Sequence, residues 1–542
     1  MNNLLVFFTA LAISVAIIPL MIRLAPRLGM VDRPDPRKVH TKPIPRVGGV
    51  GIVFGALIPL LLWMPLDEAM LAYAFGALVL FGFGAWDDSH ELGHYVKFIG
   101  QFIAVLGVVY YGDVYVEVLP FMDMERLPDS IAKPFTVFAM VGMINAMNHS
   151  DGLDGLAGGM SVLSLSCIAY LAFLADGQQV VTIAVAVLGG VMGFLRYNTH
   201  PARVFMGDSG SQFLGFTLGF LAILLTQDVN SALSPALPAL FLGLPIVDIL
   251  AVFAQRIYHG MNWFRATRNH IHHRLLELGF HHYEVVVIIY SIQMFFIASA
   301  IFLSYESDVL ILAIYLGVCS LVFVFLTLAE RQKWRAHRRH GRSKFAAFVQ
   351  SAKQHAFFTV GTTRFVAIVI PLAFLATSVL VAHVPRDFGI SAGILAVISL
   401  LVLIFGPKES IVLRAISYVT AAFVVYLETK YIGQESPVLR DISFGLYALL
   451  AVSIWLSVRY AANIEFRTSP LDFLVIFVAL TVGIISHNHF HQDALGIMAV
   501  KLIILFYGCE LIFMKLKGRW NSLKLDMSAL ITLSVLGIRS LI

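Results

Sequence analysis

The sequence predicts an all-α polytopic membrane protein of about 17 transmembrane helices, and three observations carry that reading. First, the 542 residues are 59% hydrophobic and only 13% charged, with a mean hydropathy of +0.83. Second, apolar stretches of roughly 17–22 residues recur from end to end, each long enough for a bilayer. No run of alternating apolar and polar residues suggests a barrel. Third, the basic residues are one-sided. With the N-terminus outside, only Arg126, Lys133, Arg386, Lys430 and Arg440 of the 38 Lys and Arg fall in outer loops. Lys501 and Arg539 lie within spans, and the rest are cytoplasmic, as the positive-inside rule requires. Residues 1–22 lack a basic n-region and a clear cleavage site, so they read as the first span and not a removed signal peptide. Cys167, Cys319 and Cys509 are far apart in apolar runs, which implies neither a disulfide framework nor a cysteine metal site.

The polar stretches follow in order, all on the cytoplasmic side. The first loop runs from Asp32 through Arg37, Lys38, His40 and Lys42 to Gly48 and Gly49, stiffened by Pro43 and Pro45. Its cations suit either lipid headgroups or a polyanionic ligand held below a fixed backbone. The third span ends in Asp87 and Asp88. Adjacent carboxylates repel, so the pair calls for a cation or a proton-transfer role, and Lys97 is a candidate countercharge or phosphate ligand.

Residues 145–159 place Asn145, Asn148, Asp151 and Asp154 between two apolar runs. Charge at the end of a span is costly unless it lines a polar cavity. Next, Phe205-Met-Gly-Asp208-Ser-Gly-Ser sets one hard oxygen ligand beside a helix N-terminus, a pairing suited to Mg²⁺ and phosphate. Phe205 lies close enough to stack on a base, although an aromatic at a membrane interface is common without any ligand. Finally, Arg265 and Arg268 precede His270, His272 and His273, with His281 and His282 soon after. Without cysteine or acidic ligands at zinc spacing, this reads as a cationic patch for phosphate.

Together these stretches resemble the polyprenyl-phosphate N-acetylhexosamine-1-phosphate transferases. The motifs are Asp32…Arg37-Lys38-x-His40…Gly48-Gly49, Asp87-Asp88-x-x-x-Leu92, Asn145-x-x-Asn148-x-x-Asp151-Gly-Leu-Asp154-Gly, Phe205-Met-Gly-Asp208 and His270-x-His272-His273. The resemblance is closer to the UDP-GlcNAc:undecaprenyl-phosphate branch than to the peptidoglycan pentapeptide translocase, and it covers about residues 1–330. It departs from the family at Thr267, where an Asp often stands. It implies transfer of a sugar 1-phosphate from a UDP-sugar to polyprenyl phosphate, with release of UMP, at an active site on the cytoplasmic face of a bacterial plasma membrane. Mg²⁺, with Mn²⁺ as a substitute, is the implied cofactor, held by Asp208, Asp87 and Asp88. Asp151, Asp154, His270, His272 and His273 complete the implied catalytic set. The implied substrate-binding residues are Arg37, Lys38, His40, Lys42, Lys97, Asn145, Asn148, Phe205 and Arg265. UDP-N-acetylhexosamine, polyprenyl phosphate and membrane lipid are the expected partners, with no nucleic acid. A homo-oligomer or glycan-assembly partners are compatible with the sequence.

The expected organisation is a transferase core over 1–330 with about 11 helices, a basic cytoplasmic linker over 331–360, and a C-terminal membrane module over 361–542 with about 6 helices. A glycolipid flippase would place polar residues at mid-span, often in repeated helix pairs, whereas these cluster at one face. A scaffold would not need five carboxylates together.

Overall fold

The computed structural model describes residues 3–34, 43–122, 125–261, 269–336, 361–381, 383–405, 411–432, 436–460, 494–515 and 519–541. Among them, eleven helices are long and apolar enough to cross a bilayer, with Gly48–Trp63 and Phe388–Ile404 as shorter apolar helices. The chain is a polytopic membrane protein. Large apolar side chains such as Leu62, Phe138 and Leu321 are more than 60% exposed, as expected where the solvent is lipid.

The count is lower than about 17 for identifiable reasons. The apolar run 471–486, one of the sequence's candidate spans, lies outside the described residues. The apolar run 237–255, long enough to count as one span, is broken at Leu242, where Gly243 and Pro245 open a new helix. The described residues fall into two compact units, one holding those up to 336 and the other those from 361 onward.

The first unit contains α1 (Asn3–Leu28), β1 (Val31–Asp32), β2 (Ile44–Pro45), α2 (Gly48–Trp63), α3 (Glu68–His90), α4 (His94–Leu106) and α5 (Asp129–Ser150). Then come α6 (Leu156–Leu174), α7 (Gln178–Asn198), α8 (Asp208–Ile223), α9 (Pro238–Phe241), α10 (Gly243–Tyr258), α11 (Ile271–Glu277), α12 (His282–Phe302) and α13 (Asp308–Arg331). The organising element is α8, whose side chains from Ser209 to Ile223 are all buried. A helix apolar on every side must be enclosed by others. Tyr73 of α3 stacks on Phe216 and Phe220 and bonds Thr217 at 3.0 Å.

Two glycines let neighbouring helices reach the start of α8. A Cβ on Gly84 would stand 2.5 Å from the Ser209 backbone, and one on Gly49 would stand 2.4 Å from Gly210 N. The ribbon β1–β2 is antiparallel, and its Asp32 pairs with Arg46. From the end of β2 onward, the Phe205 N–H donates to Pro45 O (2.8 Å), while Gly48 and Gly49 N–H donate to Phe205 O and Met206 O (2.9 and 2.8 Å). The first loop is thereby stitched to the segment that enters α8.

The second unit contains α14 (Thr362–Leu380), α15 (Arg386–Phe405), α16 (Ile411–Leu427), α17 (Pro437–Tyr460), α18 (Ala494–Lys515) and α19 (Arg519–Arg539). Val366, Ile370 and Phe374 of α14 pack with Val424 of α16 and Leu505 of α18 in one core. Inside it, Lys501 donates to Glu428 (2.8 Å) and Ser443 (2.7 Å), and Tyr447 donates to Glu428 (3.1 Å). A charge at such a depth persists when it is paired.

Candidate active site

Asp87 and Asp88 are neighbours in α3, about 100° apart around the helix, so they serve different partners. Asp88 turns inward. It accepts from the Asp208 N–H (2.8 Å), the Ser209 N–H (3.2 Å) and the Ser209 hydroxyl (2.8 Å). The N-cap residue of α8 is Gly207, which has no side chain to cap with, so Asp88 does that work from another helix. Gly207 sits at φ +75°, and a Cβ there would lie 2.4 Å from the Asp88 carboxylate. Only glycine fits.

Asp87 faces the cavity. Its Oδ1 accepts from the Leu92 N–H (2.6 Å), and its Oδ2 meets Lys97 Nζ at 2.8 Å. The same ammonium lies 2.7 Å from Asp208 Oδ2. Asp208 Oδ1 accepts from Asn148 (3.0 Å), which also donates to Ser211 (2.8 Å). Two hard oxygens from α3 and α8 therefore converge on one cationic position, which fits the demands of Mg²⁺.

These groups line a cavity of about 990 Å³. Its other walls include Asp32, Arg46, Asp151, Asp154, Asn198, His200, Arg203, Phe205, His273 and His282. Asp154 Oδ2 meets His200 Nδ1 at 2.7 Å and accepts from the Ala202 N–H (3.0 Å). The Asp154–Gly155 turn is fixed by Asn198, which accepts from the Gly155 N–H (2.8 Å) and donates to Val204 O (2.8 Å). Asp154, His200 and His282 bring one possible ligand atom each within 4.8 Å of one another.

The sequence-predicted residues divide accordingly. Asp87, Asp151, Asp154, Asp208, Lys97, Asn148, Phe205 and His273 come together around the cavity. Asp88 does not line it, and all its bonds go to the start of α8. Asn145 is also outside, donating to Gln101 (2.8 Å) and Val141 O (2.8 Å). Through Gln101, Gln212 and Asp208 it belongs to an amide chain that backs the carboxylate. His270 and His272 are buried away from the cavity. His270 meets Asp248 at 2.8 Å, and His272 packs beneath Gly152. Arg37, Lys38, His40, Lys42 and Arg265 lie outside the described residues.

The turn residues carry unequal charge. Burial, then the carboxylates of Asp208, Asp88 and Asp154, push Asp151 up to about 7. Burial also works against Asp154, but bonds from His200 and Ala202 outweigh it and hold its carboxyl below the usual range. His272 is pushed down to about 3 by burial and then by His273, so it is neutral. The raised Asp151 has a checkable consequence. Between the ordinary carboxylate value and about 7 the folded chain binds more protons at Asp151 than the unfolded chain does. Stability from this group is therefore full at low pH and is lost as pH rises through about 7. The melting temperature of the metal-free protein should fall across that window, and Asp151→Asn should flatten that component of the profile.

Residues 70–226, which hold most of this geometry, match the family model described as glycosyl transferase family 4. A probable undecaprenyl-phosphate N-acetylglucosaminyl 1-phosphate transferase of Bacillus subtilis (strain 168) is 34% identical over 322 residues, 59% of this chain and 89% of that protein. The chain belongs to glycosyl transferase family 4. Its members are polyprenyl-phosphate N-acetylhexosamine-1-phosphate transferases, and this multi-pass membrane protein is homologous to bacterial inner-membrane ones. A decaprenyl-phosphate N-acetylglucosaminephosphotransferase of Mycobacterium tuberculosis (strain ATCC 25618 / H37Rv) is 32% identical over 313 residues, 52% of this chain and 78% of that protein. An undecaprenyl-phosphate alpha-N-acetylglucosaminyl 1-phosphate transferase of Escherichia coli (strain K12) is 28% identical over 279 residues, 49% of this chain and 74% of that protein.

Within the transferase, sequence reasoning passed over Arg46, Asn198, His200 and Asp248. Arg46 stands inside the first loop, and Asn198 and His200 lie just before the Phe205–Asp208 stretch. Asp248 had the clearer signal: a lone carboxylate in the apolar run Gly243–Tyr258.

Proposed function

We propose that this transferase moves N-acetylhexosamine 1-phosphate, with GlcNAc 1-phosphate as the first choice, from a UDP-sugar to polyprenyl phosphate. A lipid phosphate oxygen bonds to the β-phosphorus, the bond from that phosphorus to the bridging oxygen breaks, and UMP leaves. The product is a lipid diphosphate sugar that starts a cell-surface glycan. The observation that carries the reading is the convergence of Asp87 and Asp208 on one cation at the wall of a large polar cavity.

Two polyanions must meet there, so charge has to be neutralised as the pyrophosphate bond breaks. Asp87 and Asp208 would hold Mg²⁺, which screens the phosphates when bound. Lys97 supplies a cation that is already in place, and Asn148 orients Asp208. Phe205 offers a ring for the base, while Asp154 and His200 form a polar edge for nucleotide groups. His273, the histidine of the His-x-His-His stretch that lines the cavity, would meet phosphate. Asp88 and Asn145 position Asp208 from behind. The test is purified protein with polyprenyl phosphate, Mg²⁺ and either UDP-GlcNAc or UDP-GalNAc, scored for UMP and lipid-linked product. UMP from neither donor would overturn the reading.

The orientation proposed is N-terminus outside with the cavity facing the cytoplasm, supported by the one-sided Lys and Arg distribution. In a cysteine-free background, a cysteine at Ser89 should react only with a membrane-permeant reagent, and one at Asp129 from outside. The reverse pattern would invert the topology. Residues 331–542 are proposed as a docking or regulatory module that gives no group to the chemistry. A chain ending near Gly341 keeps every cavity residue and should release UMP at a rate within about threefold of the full chain per folded molecule, the scatter expected when no transition-state contact is lost. A well-folded but inactive truncation would place the module in the catalytic unit.

A further inference from the structure

The three histidines of the His-x-His-His stretch are not equivalent, and what separates them is a carboxylate from another helix. Asp248, 6% exposed, projects from α10. Its Oδ2 meets His270 Nδ1 at 2.8 Å, and its Oδ1 accepts from the Ile271 N–H at 2.8 Å. His270 is the N-cap residue of α11 but makes no side-chain cap of its own. A single carboxylate therefore fixes both the ring and the first free N–H of that helix. At the other end, Arg274 donates to both oxygens of Glu330 (2.7 and 2.9 Å) and to Thr327 (3.2 Å) on α13.

Held this way, α11 does two things at the cavity. His273 lines it. His272, with its ring centroid 4.2 Å from that of His273, lies directly under Gly152, where a Cβ would stand 2.3 Å from its Nε2. Gly152 follows Asp151 in the turn that carries Asp154. Movement of α11 would thus shift a cavity histidine and the floor of the carboxylate turn together.

We propose that Asp248 is a positioning residue for sugar-phosphate transfer, acting through His270 and the N-terminus of α11 to set His273 and the Asp151–Asp154 turn. The proposal rests on the transferase reading above. A carboxylate facing a ring nitrogen fixes which nitrogen carries the proton, and replacing it by an amide puts a donor there and reverses the tautomer.

Asp248→Asn separates this role from simple packing, because the amide keeps the shape and can still accept from Ile271. Expected is a kcat lowered roughly 10–100-fold, with KM for UDP-GlcNAc within about threefold and an unchanged melting temperature. His270→Gln should lose a similar factor, and adding Asp248→Asn to it should cost nothing more, since the carboxylate acts through that ring. Wild-type turnover in the same assay tests the transferase reading itself, and the variant-to-wild-type ratio tests Asp248. Full kcat in folded Asp248→Asn, full kcat in His270→Gln, or losses that multiply in the double variant would each overturn the proposal. If Asp248→Asn does not fold, His270→Gln alone still decides: normal kcat there removes the group through which Asp248 is said to act.

Discussion

Asp208→Asn should abolish transfer, lowering turnover by at least about 10³-fold, or about 4 kcal/mol of barrier. The residue opens α8, with Oδ2 2.7 Å from Lys97 and Oδ1 3.0 Å from Asn148. An amide removes the negative charge and turns one hard oxygen into a donor that faces the Lys97 ammonium, itself a donor. No added Mg²⁺ can restore a ligand that is chemically absent. The fold should survive, because the backbone N–H of residue 208 still reaches Asp88. Equal melting temperatures for variant and wild type, with UMP release lost, are the expected pair of results. Near-normal turnover would move the metal assignment elsewhere.

Asp88→Asn should fail differently, losing activity and stability together. Asp88 is 5% exposed and accepts from two backbone N–H groups and one hydroxyl at the start of α8. An asparagine keeps one accepting oxygen and points its NH₂ at donors. Leaving a buried donor unmade costs about 1–3 kcal/mol, and the lost charge at a helix N-terminus adds up to about 2 kcal/mol. The first turn of α8 should shift and carry Asp208 with it, lowering turnover roughly 10²-fold, since small displacements of positioned groups are costly. The contrast is the informative part. A thermal melt with a turnover assay on the two variants separates them, and Asp88→Asn with full stability and no activity would return Asp88 to direct contact with metal or substrate.

The twin aspartates show how far sequence could reach. Their adjacency at the end of a span marked them as functional, and the helical repeat of 3.6 residues already implied that they face apart. Which one faced the cavity depended on where α8 lay, and no local pattern held that. The carboxylate turn and the Phe205–Asp208 stretch were legible because charge and glycine at a span end have few structural uses. The histidine stretch was not. At the start of a seven-residue helix, the N-cap His270 and the helical His272 and His273 point in different directions, and burial picks one for the cavity. Asp248 stood out as a lone carboxylate in an apolar run, but its role was hidden because its partner His270 is brought to it only by folding. The broken span at Leu242 was readable in principle from Gly243 and Pro245, whose effect a long apolar window averages away.

In the proposed reaction a phosphorus–oxygen bond of the nucleotide sugar breaks and the sugar keeps its phosphate. Full-length protein, polyprenyl phosphate and Mg²⁺ with UDP-GlcNAc labelled at the β-phosphorus test it most directly. Label should pass into the lipid fraction as UMP appears in equal amount, and Asp208→Asn should show neither. Label retained in soluble UDP while sugar alone reaches the lipid would contradict that reaction.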